Sequence, residues 1–314
     1  MAKNYASFFH NYRNYSNYHA ISWFVNQVLF SKELDNLQPY GQMVDIDGRK
    51  MHVYSMGNGR KTIVLLSGYG VPLPCADFGP LIRTLSKKYT VVCVEYFGVG
   101  FSDQTDTPRT NENYTEELRT ALLSAGFDAP YILMPHSASG IYSEYYAIKY
   151  PDEVSAIVML DTTSSAKTEP TVPNFTYSLA KIQQAIDFNR LFNPLIVKST
   201  LLITESNGYT KKEIVDYIKF MNHLINDTTI DQLARLNDNI REVMGMEFPV
   251  SVPVLKLVAS STVKQVGEQY QIDHLQRLGG SSQQTVIVGT HFIYHTAAAQ
   301  IADVADAFLE SRVR

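Results

Sequence analysis

Short apolar runs alternate with helical patterns along the chain from Gly41 onward. Eight runs have the length and apolar content of buried strands, the first two forming a hairpin around Asp47 and Gly48. The runs are Met43–Ile46, Met51–Met56, Thr62–Ser67, Thr90–Glu95, Tyr131–Met134, Val154–Leu160, Val254–Ala259 and Thr285–Val288. The helical patterns are Phe78–Lys87, Glu116–Ala125, Ile141–Lys149, Val266–Leu278 and Ala297–Glu310. This alternation predicts an α/β fold: an eight-stranded, mostly parallel sheet covered by helices on both faces.

The alternation is interrupted between Thr162 and Val250, where helical periodicity occurs without a convincing strand. Thr210 and Glu213 have the spacing of a capping box before one apolar helical stripe. A second stripe consists of Ile230, Leu233, Leu236, Ile240 and Val243. We therefore predict a core formed by residues 41–161 and 251–314, with residues 162–250 inserted as a helical cap.

Residues 1–40 precede this core as an N-terminal extension. Its apolar positions Ile21, Phe24, Val25, Val28 and Leu29 have the spacing of one helical face. The run is too short to span a membrane, and no signal-peptide cleavage pattern follows it. We expect an amphipathic helix that packs on the protein itself, in a cytoplasmic protein. The alternative is peripheral docking onto a membrane surface, helped by Lys3, Arg13 and Lys32.

Composition narrows the classes of function. The 314 residues are 45% hydrophobic and 18% charged, and 27 Lys and Arg against 31 Asp and Glu give a net charge of −4. Nucleic-acid binding is not expected, because phosphate neutralisation requires a basic excess. The two cysteines, Cys75 and Cys93, predict neither a disulfide framework nor a metal site. No cofactor is expected.

The stretch from Tyr131 to Tyr150 carries the clearest chemical signal. It reads as an apolar strand, a tight turn PHSASG and a helix. A serine at such a corner projects its hydroxyl above the sheet, and the following helix N-terminus favours developing negative charge. Ser137 is the candidate nucleophile, with Ser139 and Gly140 as the small residues that the turn requires.

A serine nucleophile needs a base to take its proton. His291 follows the last predicted strand, in a loop that could bring its imidazole over Ser137. His295 lies one helical turn later and is the alternative base. His136 adjoins the serine in sequence, but the sharp corner should turn it away.

The base in turn needs a carboxylate. Asp161 ends the strand after the serine turn and should emerge at the same sheet edge. The segment after the next strand, Val258 to Val263, contains no carboxylate, and this absence favours Asp161. Asp273, inside a helical pattern, is the fallback.

Backbone donors for an oxyanion leave little side-chain signature. We expect one at the amide of Ala138 and another in the loop Ser67-Gly68-Tyr69-Gly70, at Tyr69 or Gly70. This glycine-rich loop contains no phosphate-binding motif. The stretch Glu95 to Asp103 is interpreted as a supporting turn.

These motifs together resemble the α/β-hydrolase superfamily, over roughly Gly41 to Thr162 and Pro253 to Arg312. The resemblance rests on the motifs LLSGYG, EYFGVGFSD, PHSASG, YPDEVSAIVMLD and GTHFIYH. The nearest resemblance is to cap-bearing bacterial serine hydrolases with a PHSxSG nucleophile elbow. It implies an eight-stranded sheet, a helical cap, no cofactor and hydrolysis through an acyl-enzyme. Pro135 and Ser139 stand where the elbow glycines are usual.

The sequence therefore predicts a serine hydrolase that acts on a small or medium ester, thioester or related acyl compound. The insertion offers apolar side chains for an acyl group: Phe175, Tyr177, Phe188, Phe192, Phe220 and Met221. One alternative is an aminopeptidase or amidase, with Glu169 or Glu205 holding a substrate amine. The other is a catalytically silent member that binds a ligand in the same pocket.

Overall fold

A computed structural model describes residues 32–166 and 192–313 of the chain. Its eight strands form one sheet in the order β1-β2-β4-β3-β5-β6-β7-β8. Their bounds are β1 Gln42–Ile46, β2 Arg49–Met56, β3 Thr62–Leu66, β4 Thr90–Glu95, β5 Tyr131–Pro135, β6 Val154–Leu160, β7 Val254–Ala259 and β8 Ser282–Ile287. The pairs β1–β2 and β2–β4 are antiparallel, and the other pairs are parallel. The predicted α/β fold and its eight-stranded, mostly parallel sheet are confirmed.

Ten α-helices lie between or after these strands in the described residues. They are α1 Pro74–Asp77, α2 Gly79–Leu85, α3 Asn111–Ser124, α4 Ser139–Lys149, α5 Asn193–Ser199, α6 Lys211–Met221, α7 Asp227–Met244, α8 Ser260–Val266, α9 Glu268–Leu278 and α10 Tyr294–Arg312. Helix α3 begins before the predicted Glu116, because the Thr110 side chain accepts a hydrogen bond from the Asn113 amide and caps it. Helix α9 corresponds to the predicted helix Val266–Leu278, whereas α8 lies before it and was not predicted; Gly267, with φ of 85°, separates the two.

Hydrophobic cores form on both faces of the sheet, as the continuous apolar runs require. Along β3, Ile63 and Leu65 belong to one core, whereas Val64 and Leu66 belong to the other. The first core packs under α2 and α10, and the second under α3 and α4. The sheet is thus an interior layer that holds the ends of its strands in fixed positions.

Helices α5 to α7 lie between β6 and β7 in the chain, within the predicted insertion. Thr210 and Glu213 form the expected capping box at α6. The same Glu213 accepts a hydrogen bond of 2.6 Å from Arg83 of α2. At α7, the Thr228 hydroxyl donates to the Thr105 carbonyl over 2.9 Å. These bonds hold the inserted helices against the sheet domain.

Several expectations fall outside the described residues. They concern the amphipathic segment 20–30 and Phe175, Tyr177, Phe188 and Glu169 of the insertion. Among the helices that the structure does describe, none combines the length and apolar character needed to cross a membrane.

Candidate active site

The turn after β5 places Ser137 in a strained conformation. Strand β5 ends at Pro135, the His136 amide donates to the Leu66 carbonyl over 2.9 Å, and α4 begins at Ser139. Ser137 has φ of 53°, a left-handed backbone value that residues other than glycine rarely adopt. Such a turn between a strand and a helix exposes the serine hydroxyl at the sheet edge.

Ser137, His291 and Asp161 meet at this edge. His291 Nε2 lies 2.9 Å from Ser137 Oγ, and His291 Nδ1 lies 2.7 Å from Asp161 Oδ2. The imidazole side chain is 44% exposed, whereas the carboxylate is 1% exposed. A hydroxyl, an imidazole and a buried carboxylate in this order can pass a proton from the serine to the histidine.

Two hydrogen-bond donors orient the carboxylate of Asp161. Its Oδ1 accepts the Ala259 amide over 2.8 Å, and its Oδ2 accepts the Thr262 hydroxyl over 2.6 Å. Thr262 was not singled out as a site residue in the sequence, although it lies in the segment that lacks a carboxylate. Asp273 is partly exposed on α9 and accepts a hydrogen bond from Gln269, so it does not contact His291.

The other two candidate histidines lie beside the site rather than in it. The His136 ring packs against the His291 ring at 4.6 Å between centroids, and its Nε2 is 3.2 Å from the His291 carbonyl. Burial, reinforced by the neighbouring His291, lowers the pKa of His136 well below its usual range. His295 is paired with Asp77, with 2.9 Å between Nε2 and Oδ1.

The glycine-rich loop after β3 contacts the serine turn closely. A Cβ atom at Gly68 would lie 2.5 Å from the Ser137 Cβ, so only glycine fits there. The buried Ser139 hydroxyl donates to the Ser67 carbonyl and ties the loop to the start of α4. Among the described residues, the amides of Tyr69 and Ala138 have no protein acceptor, as donors reserved for a ligand would.

The loop also connects the site to the insertion. Tyr69 packs against the apolar cluster of Ile230 and Leu233, which belong to α7. Burial raises the pKa of its phenol. Helix α7 thereby contributes apolar contacts to the loop that adjoins the serine turn.

His52, Cys75 and Glu95 form a buried cluster whose possible ligand atoms all lie within 4.8 Å of one another. His52 Nε2 accepts the Gly41 amide over 2.8 Å, so a neutral imidazole carries its proton on Nδ1, which faces Glu95 at 2.9 Å. Burial and Glu95 raise the pKa of Cys75 well above its usual range, which opposes the thiolate that a metal needs. A protonated Nδ1 and a protonated thiol do not fit a metal ion.

A second buried polar network lies behind α4. Lys256 Nζ donates to Gln271 over 2.7 Å and lies 2.9 Å from His274 Nδ1, while His274 Nε2 lies 2.8 Å from Glu144. Burial lowers the pKa of Lys256 to about 8. Glu144 belongs to the helix that follows the serine, so this network anchors that helix to β7 and α9.

The fold and these contacts define an α/β-hydrolase scaffold, and the chain belongs to that family. Residues 61–242 match the family described as "alpha/beta hydrolase fold". The chain is 30% identical to the uncharacterized protein YbdG of Bacillus subtilis, over 89% of this chain and 88% of that protein.

Solved structures of known hydrolases share the fold. The enol-lactonase from Burkholderia xenovorans superposes with a TM-score of 0.62 at 14% identity, covering 86% of this chain and 100% of that one. Epoxide hydrolase VrEH1 from Vigna radiata gives 0.66 at 18% identity, covering 86% and 97%. At these identities the likeness concerns the fold alone.

Proposed function

We propose that this protein is a serine hydrolase that cleaves a small or medium ester, or a related acyl compound, through an acyl-enzyme. The observation that carries the proposal is the contact of His291 with both Ser137 and Asp161, over 2.9 and 2.7 Å. A surface serine has no such pair of partners.

In the proposed mechanism His291 takes the Ser137 proton as the hydroxyl oxygen attacks the substrate carbonyl. The Asp161 carboxylate accepts a hydrogen bond from the Nδ1–H of His291 and stabilises the imidazolium that forms. The amides of Ala138 and of Tyr69 or Gly70 bind the oxyanion. His291 then protonates the leaving group, and water attacks the acyl-enzyme with the same histidine as base.

The inserted helices are proposed to act as a cap that selects the acyl group. The apolar contacts of Tyr69 with Ile230 and Leu233 support a substrate with an apolar portion at this side of the serine. No cofactor has a role in this chemistry.

Two alternative chemistries are less well supported. Epoxide hydrolysis and dehalogenation on this fold use a carboxylate nucleophile, whereas Ser137 is a hydroxyl. For an amine-binding peptidase, the described acidic candidate Glu205 lies in a different groove, between α5 and α6, at 4.0 Å from Lys211.

Fluorophosphonate labelling followed by peptide mapping tests the nucleophile directly. We expect labelling of the wild type at Ser137 and none at that position in Ser137→Ala. The matched control is Ser206→Ala, an exposed serine that should leave labelling unchanged. A folded wild type that does not react would refute the proposed nucleophile and favour the catalytically silent alternative.

A panel of p-nitrophenyl esters of increasing acyl length, with aminoacyl β-naphthylamides alongside, tests the bond type. We expect ester turnover that depends on Ser137. Labelling at Ser137 combined with cleavage of the amides alone would replace the ester proposal with the amidase.

A further inference from the structure

Behind the site lies a second buried pair, formed by His295 at the start of α10 and Asp77 in α1. Both side chains are almost completely inaccessible, at 2% and 0% exposure. The pair does not contact Ser137, so the proposed reaction does not use it. A buried ion pair away from the reacting atoms needs a structural reason.

The two ring nitrogens of His295 both face oxygen acceptors. Nε2 is 2.9 Å from Asp77 Oδ1, and Nδ1 is 2.7 Å from the Leu201 carbonyl oxygen. A neutral imidazole has one N–H and one lone pair, and a carbonyl oxygen can only accept. If Asp77 is ionised, both contacts are hydrogen bonds only when His295 is an imidazolium.

The surroundings favour this charged form. The Phe292 ring stacks on the imidazole with 5.0 Å between centroids and 9° between planes, and an aromatic face attracts a cation. The Tyr294 hydroxyl donates a hydrogen bond to Asp77 Oδ2. The Tyr209 hydroxyl donates to the Asp77 main-chain carbonyl over 2.8 Å.

Three further titratable groups face the pair. Burial, together with Glu95 and Asp77, raises the pKa of the Cys93 thiol of β4 well above its usual range. The Tyr217 phenol, from α6, interacts with Asp77. His136, from the serine turn, has its pKa lowered by burial and is neutral. The imidazolium of His295 is therefore the positive partner that this cluster offers to Asp77.

We propose that His295 is a buried imidazolium that fastens the insertion to the loop carrying His291. Its Nδ1–H donates to the Leu201 carbonyl, just after α5, and its Nε2–H donates to the Asp77 carboxylate in α1. Its stacked neighbour Phe292 directly follows His291 in the chain. His295 is thus a positioning residue, and its effect on catalysis rests on the proposed role of His291 as base.

Nitrogen-15 NMR of the full chain with labelled histidine tests the protonation state without any catalytic assay. We expect both ring nitrogens of His295 to carry protons at pH 7, with the resonance assigned by its loss in His295→Gln. The competing arrangement puts the proton on Asp77 and leaves His295 neutral. One unprotonated ring nitrogen at pH 7 would therefore overturn the proposal.

Hydrogen exchange tests the fastening. After correction for the intrinsic effect of pH, exchange of the Leu201 and Ile203 amides should accelerate at least about tenfold when His295 loses its proton. His295→Gln should show the fast exchange at every pH. The control His223→Gln removes another histidine, paired with Glu33 at 3.2 Å, and should keep the wild-type profile.

Kinetics then connect the fastening to catalysis. We expect His295→Gln to lower kcat about tenfold with little change of KM for a short ester. Unchanged exchange in this variant would refute the fastening. If exchange changes while kcat is unaltered, the positioning of His291 is refuted. Absence of ester turnover in the wild type would contradict the proposed function. The NMR and exchange results would still test the protonation and the fastening of His295, because neither depends on catalysis.

Discussion

Asp161 shows how one side chain can be oriented by its backbone and its neighbours together. Its φ of 45° is left-handed, and its two carboxylate oxygens receive donors from Ala259, Thr262 and His291. Two of these donors lie at the end of β7 and in α8. A carboxylate at the end of β6 therefore occupies the space next to the histidine that a later acid would otherwise fill.

Asp161→Asn should lower kcat by about 10³ to 10⁴ because an amide can stabilise the wrong tautomer of His291 and cannot offset its positive charge. Ester turnover and fluorophosphonate labelling measure the change. Asp273→Asn is the matched control and should stay within about twofold, because Asp273 is partly exposed and accepts a hydrogen bond from Gln269 on the same helix. Equal losses in both variants would exclude Asp161 as the acid.

Lys256 predicts a pH dependence of stability. Burial lowers its pKa from 10.5 to about 8, so between these values the unfolded chain binds the proton more strongly than the native protein. The free energy of unfolding of the wild type should consequently rise with pH over this window, relative to Lys256→Met, by up to about 3 kcal/mol. Urea unfolding of both proteins from pH 7 to 10.5 measures the difference, in which other titrating groups cancel. A difference independent of pH would show that Lys256 keeps its ordinary pKa.

At the scale of elements, the site depends on the contact between the loop after β3 and the turn after β5. Their parallel pairing, with Leu66 opposite Pro135, brings both strand ends to the same edge. Gly68 and Ser137 then approach each other more closely than two ordinary residues could.

Gly68→Ala should lower kcat by about 10²-fold or more, because the added Cβ, 2.5 Å from the Ser137 Cβ, must displace the loop or the nucleophile. Ester kinetics and thermal unfolding separate this displacement from global destabilisation. Gly280→Ala, which adds its methyl group in open space, is the control and should be silent. Wild-type kcat in Gly68→Ala would mean that the loop moves without affecting the reaction.

Strand and helix positions were predictable where apolar residues repeat with a clear period. The prediction for β8 began at Thr285, whereas the strand begins at Ser282. Residues 282–284 are polar, and this edge strand pairs only with β7, so its backbone bonds form without an apolar signal. Helix α10 likewise starts at Tyr294 instead of Ala297, since Ala297 is a kink with φ of −122° inside the helix.

At the scale of the whole molecule, the insertion is held to the sheet domain by polar contacts that are distant in sequence. One example is the ion pair of Arg83 with Glu213. Another is the hydrogen bond that Asn111 Nδ2 donates to the main-chain carbonyl of Asn239 over 2.9 Å. In each pair the two residues lie more than a hundred positions apart in the sequence.

Glu213→Ala should destabilise α6 by about 1 to 2 kcal/mol, mainly through loss of the capping box, because Arg83 is partly exposed and its ion pair is screened by solvent. Hydrogen exchange along α6 measures this local change. Glu205→Ala, at an exposed position, should leave the exchange of α6 unaltered. Equal protection in Glu213→Ala and wild type would contradict the stabilising role of the cap.

Long-range pairs also mark the limit of prediction for the candidate site. Ser137, Asp161 and His291 could be proposed from strand ends, because each follows a run that the pattern identifies. The pairing of Asp77 with His295, and of Ser139 with the Ser67 carbonyl, had no such signal. Each depends on how separate helices and loops pack in three dimensions.

The order of the strands along the chain also determines when the proposed site is complete during synthesis. The hydroxyl and the carboxylate follow β5 and β6, whereas the imidazole follows β8, an edge strand and the last strand of the sheet along the chain. On the proposed mechanism, a nascent polypeptide that has emerged only through β7 holds a nucleophile without its proton acceptor. Hydrolysis would begin only after the final strand has joined the sheet, so the growing chain stays chemically silent on the ribosome.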